Sequence, residues 1–171
     1  MSETKCGFDD GQGFKGRDLL VSHGPTIGVD IGFDRAFDPK SAAIPKAGIT
    51  NVLALVDTGA TESCIDIDLA TKLQLPVTDR RQLAGAGGLH TADVYLAQIH
   101  VPALSFTVYG SFMGVNLAVG GLPHRVLLGR TFLQNFNMNY DGFSGTVTIS
   151  NNSQPAKNPV VQFLRGKGFM R

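Results

Sequence analysis

The stretch "LALVDTGATESCI", residues 53–65, decides how this chain is read. Leu53, Ala54, Leu55 and Val56 form an apolar run that belongs in a core. Asp57 follows where that strand ends, and Thr58, Gly59 and Ala60 come directly after it. A carboxylate in this position is either a turn residue or a chemical group held rigidly by the strand behind it. Gly59 lets the backbone pass close to the carboxylate. Thr58 offers a hydroxyl to a neighbouring loop, and Ala60 keeps the site small.

Working outward, the flanks repeat the pattern. "HRVLLGR" (124–130) is a second apolar strand that ends at a glycine, followed by a short helical segment, "TFLQNF" (131–136). One strand–turn–helix motif is thus played twice, about 70 residues apart, with the Asp only in the first copy. Strands are also expected at 25–34, 49–56 and 104–112. A short helix is expected over 66–75, stopped by Pro76, with Asp66 and Asp68 as charges suited to its N-terminus. Residues 77–101 alternate around Gly85, Ala86, Gly87 and Gly88 and predict a hairpin with a glycine-rich tip. Residues 137–150 predict a second hairpin, with Asp-Gly and Ser-Gly at its turn.

The composition agrees with a turn-rich, all-β fold. The chain has 171 residues, 43% of them hydrophobic, with 11 Phe, 21 Gly and no Trp. A formal net charge of +1 gives no basic surface for nucleic acid or an anionic membrane. Two cysteines, Cys6 and Cys64, make neither a disulfide framework nor a zinc site. The four histidines lack metal-ligand spacing, so no metal is expected. No apolar segment is long enough to span a bilayer, and the polar N-terminus is not a signal sequence. A cytoplasmic protein is expected. Residues 1–24 read as a flexible leader, 25–150 as one domain, and 151–171 as a polar, basic tail.

Taken together, "VDTGAT", the distal "LLGR" and the helix behind it resemble the retropepsin family of single-domain aspartic proteases. The resemblance covers roughly residues 25–150. It implies a closed, mostly antiparallel β-barrel with one or two short helices, functional as a C2 homodimer. It makes Asp57 the catalytic carboxylate of an aspartic endopeptidase. Thr58 would brace the two active-site loops across the dimer, with Gly59 and Ala60 completing each loop. Gly85, Ala86, Gly87 and Gly88 would be the flap tip over a peptide or protein substrate. Leu127, Leu128, Gly129 and Arg130 match the second apolar-Gly motif. In viral members that arginine pairs with an acid just past the Asp-Thr-Gly-Ala. Here the position is Thr61, with Glu62 next, so the pair is either absent or rebuilt through Glu62.

One Asp is a poor acid–base catalyst near neutral pH, because a free aspartic acid ionises near about pH 3.9. Two carboxylates about 3 Å apart hold one proton between them. One can then activate a water while the other protonates a carbonyl, and no metal or organic cofactor is needed. Two rival readings use the same residues. Asp57-x-Gly59-x-Thr61 also fits the phosphate loop of actin-like and sugar-kinase ATPases, which need two α/β domains. A third reading keeps the fold but makes it a dimerisation or peptide-binding module.

Overall fold

The computed structural model describes residues 3–85, 88–119 and 121–151. Among these described residues, ten strands and three short helices run in chain order: β1 (Glu3–Lys5), α1 (Gly16–His23), β2 (Thr26–Gly32), β3 (Ile49–Val56), β4 (Cys64–Asp66), α2 (Ile67–Lys72), β5 (Val77–Gly85), β6 (Gly88–Val101), β7 (Phe106–Val115), β8 (Val126–Leu128), α3 (Arg130–Leu133), β9 (Phe136–Asp141) and β10 (Thr146–Asn151). A 3₁₀ turn at Pro102–Leu104 joins β6 to β7.

Six strands close into a barrel, in the order β2-β3-β8-β4-β7-β6 and back to β2. The closing seam pairs Asp30 with His100, Ile31 with Ile99 and Gly32 with Gln98. The fold is therefore all-β, as its alternating apolar patterns predict. On β2, Ile27, Val29 and Ile31 point inward, and on β3, Val52, Ala54 and Val56 do the same. Period-2 alternation places one face of each strand in the common core. At the main core, Phe106, Phe132 and Phe136 pack edge-on or tilted against one another, with ring centroids 4.8–6.1 Å apart.

Both copies of the repeated motif meet inside this barrel. β3 and β8 run parallel, with Ala54 opposite Val126, Leu55 opposite Leu127 and Val56 opposite Leu128. The two glycine turns consequently emerge side by side at one end of the sheet.

The N-terminal segment departs from the sequence expectation of a flexible leader. β1 adds to the edge of β10, from Glu3 opposite Ser150 to Lys5 opposite Thr148. Cys6 and Leu20 are both 1% exposed and belong to the main core. Glycine here serves close packing at Gly16, where a Cβ would collide with the Phe8 carbonyl oxygen. β10 needs a partner and the core needs Leu20, and neither need is visible in the leader's own composition. The tail expected over 151–171 lies outside the described residues beyond Asn151.

Asp66 does more than charge a helix end. It is 2% exposed, and its carboxylate accepts from the backbone N–H of Leu69 (3.3 Å), Leu117 (3.1 Å) and Ala118 (3.3 Å). Arg125 Nη1 lies 3.1 Å away. One buried anion thus caps α2 and ties both ends of the 116–125 connection that leads into β8. Asp66→Asn keeps the size but turns an amide NH₂ toward donors that need an acceptor. It is expected to cost about 2–4 kcal/mol, since bonds to a charged acceptor are each worth about 1.5–3 kcal/mol. Thermal unfolding should show this as a fall in Tm of roughly 5–15 °C. An unchanged Tm would show that the connection is held elsewhere.

Candidate active site

Asp57 stands at the mouth of β3, half-buried. Its N–H donates to the Leu128 carbonyl at 2.9 Å, which continues the β3–β8 ladder through the residue itself. Its Oδ1 accepts from the Gly59 N–H at 2.7 Å, so the Thr58–Gly59 turn curls back onto the carboxylate. Both turn residues are exposed. Among the described residues Asp57 makes no ion pair.

The second motif braces this loop from behind. Gly129 is buried, and a Cβ there would sit 2.6 Å from the Glu62 carbonyl oxygen and 3.1 Å from that of Ala60. Only glycine allows that approach. The Gly129 N–H donates to Ser63 Oγ at 3.1 Å, and the Arg130 N–H donates to the Ala60 carbonyl at 2.9 Å. The Arg130 guanidinium donates to the Thr58 and Gly59 carbonyls, each at 3.1 Å, and to Thr61 Oγ1 at 2.7 Å. Of the two options left by the sequence, the ion pair is absent. Glu62 does not rebuild it; two carbonyls and a hydroxyl take its place. Leu128 is buried and Leu127 half-buried beside the loop.

A groove of about 570 Å³ opens next to Asp57, lined by Gly24, Pro25, Leu55, Val56, Thr58, Met138 and Tyr140. No local pattern signals that Met138, Tyr140 and the Gly24-Pro25 turn meet the Asp57 loop. Their meeting depends on where β9 and α1 pack. The hairpin expected over 77–101 is present as β5 and β6, with Gly85 opposite Gly88 at its end. Its tip residues Ala86 and Gly87 lie outside the described residues.

Cys64 lies in a small apolar cluster with Ala92, Val94 and Met113. Burial pushes its thiol up to about 11, helped by the nearby charges of Glu62 and Asp57. The protonated thiol is a core group, not a nucleophile. The helices have 8, 6 and 4 residues, which leaves the two-domain α/β architecture of the phosphate-loop ATPases without material among the described residues.

His124 supports the groove wall from below. It is 2% exposed, and its Nε2 lies 2.8 Å from Thr26 Oγ1, whose proton goes to the Gly24 carbonyl at 3.1 Å. Its Nδ1 is buried without a partner among the described residues. An imidazolium would carry an N–H there with no acceptor. Burial, and then the proximity of His23, hold its pKa below 6.5. The unfolded chain therefore binds more protons than the folded one just below pH 6.5. The stability contributed is complete above that pH and is lost as pH falls toward the folded value, by at most about 1.4 kcal/mol per pH unit. Tm measured from pH 7 to pH 5 should fall, and His124→Gln should flatten the slope. An equal slope in the variant would assign the acid lability to another group.

Comparison with known proteins gives the family. Residues 47–135, just over half of the chain, match the family model described as "gag-polyprotein putative aspartyl protease". The chain belongs to this retropepsin-like aspartyl protease family. Three solved structures are similar. "EIAV protease complexed with the inhibitor HBY-793" is 19% identical, covering 64% of this chain and 85% of that one, with a TM-score of 0.41. A retropepsin-like aspartic protease from Rickettsia conorii is 15% identical, covering 72% and 79%, with a TM-score of 0.45. An aspartic proteinase from Irpex lacteus is 14% identical, covering 90% and 48%, also with a TM-score of 0.45. No curated protein matches the chain. Among the described residues no helix is long and apolar enough to cross a membrane.

Proposed function

We propose that this chain is an aspartic endopeptidase that works as a C2 homodimer, with one Asp57 carboxylate from each protomer. The observation that carries the reading is the setting of Asp57. It ends a core strand, its own N–H is tied to Leu128, and its loop is fixed by Gly129 and Arg130. That rigidity suits a group whose position must be reproduced across a two-fold axis. Thr58, exposed at the turn, would brace the partner's loop.

The paired carboxylates would hold a water between them. One would take a proton from that water as its oxygen attacks the scissile carbonyl carbon. The other would donate a proton to the carbonyl oxygen, giving a neutral gem-diol. Collapse of the diol breaks the C–N bond, and the amine leaves with a proton returned from the pair. No covalent enzyme intermediate forms. The substrate would lie extended in the groove beside Met138 and Tyr140, making backbone hydrogen bonds like an added strand. The β5–β6 hairpin, with Gly85 to Gly88 at its tip, would close over it.

The test is cleavage of a peptide library by the purified chain. A dyad that shares one proton gives a bell-shaped rate profile on the acidic side of neutral. Statine-type hydroxyl mimics of the diol should inhibit it. A rate that keeps rising past about pH 8 and ignores such mimics would contradict a carboxylate pair.

A further inference from the structure

One wall of the Asp57 groove is a turn, Gly24-Pro25, and a buried imidazole tethers it. His124 Nε2 lies 2.8 Å from Thr26 Oγ1, and the Thr26 hydroxyl donates to the Gly24 carbonyl at 3.1 Å. With the hydroxyl proton given to Gly24, the ring must be the neutral Nε2–H tautomer, donating to Thr26. Its Nδ1 is then a bare acceptor with no partner among the described residues. The next carbonyl along the wall, that of Pro25, accepts from the Val56 N–H at 2.8 Å, one residue before Asp57. The tethered turn is thus joined to the strand that carries the carboxylate.

A proton can add to this ring only at Nδ1, where it makes a buried, charged donor that faces no acceptor. The ionisable groups on the surrounding elements do not relieve that charge. His23, half-buried at the end of α1, opposes it when charged. Arg125, the next residue in the chain, is itself a cation and is paired with Asp66. The Cys6 thiol, in the residue whose carbonyl accepts from the Thr26 N–H, stays protonated. Asp30 on β2 accepts from the Asn51 N–H, and Asp57 after β3 accepts from the Gly59 N–H. Neither carboxylate bonds to a nitrogen of His124.

We infer that His124 is a positioning residue for substrate: its neutral ring holds the Gly24-Pro25 wall, and its protonation releases that wall, so acid weakens substrate binding separately from the chemistry at Asp57. The charged ring regains solvation only by leaving its niche ahead of β8. Leaving takes the donor away from Thr26, and the hydroxyl is no longer fixed toward the Gly24 carbonyl. The loss falls on binding, because Gly24 and Pro25 line the groove and no proton of the reaction passes through them. This inference rests on the protease reading for its substrate and adds to that reading a proton the dyad does not hold.

The test compares wild type, His124→Gln and His124→Leu between pH 7 and pH 5, well below each protein's Tm. Glutamine offers Thr26 an uncharged N–H donor and does not titrate, whereas leucine offers none. The wild-type KM should rise at least about fivefold from pH 7 to pH 5, within the roughly tenfold per pH unit that one proton allows. In His124→Gln it should change at most about twofold, while kcat follows one profile in both proteins because the Asp57 pair is unaltered. At pH 7 the KM of His124→Leu should exceed that of His124→Gln by at least about threefold. A readout without substrate accompanies these. The backbone amide NMR signals of Gly24 and Thr26 should follow the titration of the His124 ring in wild type and stay in place in His124→Gln. Amides that ignore that titration overturn the inference, as do equal KM slopes in wild type and His124→Gln, or equal KM values in the two variants at pH 7. A chain that cleaves no peptide, yet whose Gly24 and Thr26 amides follow His124, refutes the protease reading and leaves the release of the wall standing.

Discussion

Asp57→Asn should abolish peptide cleavage while leaving the fold in place. The two effects separate because the carboxylate has separate roles. Structurally it accepts one hydrogen bond, from the Gly59 N–H, and an amide oxygen accepts the same bond. Asp57 has no ion pair among the described residues, so none is broken. The cost to stability should stay within about 0.5 kcal/mol. Chemically, the amide can neither take a proton from water nor share one with a partner. Each half of the general acid–base work is worth about 10²–10⁴ in rate, and a homodimeric variant loses both. A fall of at least about 10³-fold in kcat/KM is expected. Robust cleavage by a clean Asp57→Asn preparation would end the protease assignment.

The sequence revealed most where a residue's role is set by its near neighbours. Strand ends, the Asp57 turn, the helix before Pro76 and both hairpins follow from alternation and turn chemistry within a few positions. The repeated motif went further: it anticipated two matching turns, and the parallel β3–β8 pairing brings them together. What stayed hidden depends on partners far along the chain. Asp66 looks like an ordinary helix cap, because Leu117 and Ala118, its other donors, lie 51 and 52 residues away. Arg130 looks as if it needs an acid, yet carbonyls at Thr58 and Gly59 satisfy it from 72 and 71 residues away. The 1–24 segment is rich in glycine, yet Gly16 is pressed against the Phe8 backbone. Glycine content alone cannot distinguish a loose segment from one pressed close to its neighbour.

Mixing wild type with Asp57→Asn should poison activity beyond simple dilution. One chain carries one Asp-Thr-Gly, and one carboxylate cannot both accept and donate the protons the diol requires. If the pair is built from two copies, a heterodimer holds a single competent carboxylate. With random exchange at ninefold excess of variant, only roughly one wild-type subunit in ten remains in a homodimer. Activity per wild-type chain should fall by about that factor, whereas a monomeric enzyme would lose nothing. Dilution gives an independent measure. Below the dimer dissociation constant, the rate should approach the square of total protein concentration, because the dimer population does. A slowly exchanging dimer hides both effects, so the subunits should first be mixed through mild denaturation and refolding. The Arg130 hydrogen bonds that hold the Asp57 loop are made within one chain and need no second copy. Dissociation should therefore remove the second carboxylate without unfolding the first, and activity should return when the protein is concentrated again. A chain sized as a monomer under assay conditions, cleaving at a rate strictly proportional to its concentration, would refute the shared site.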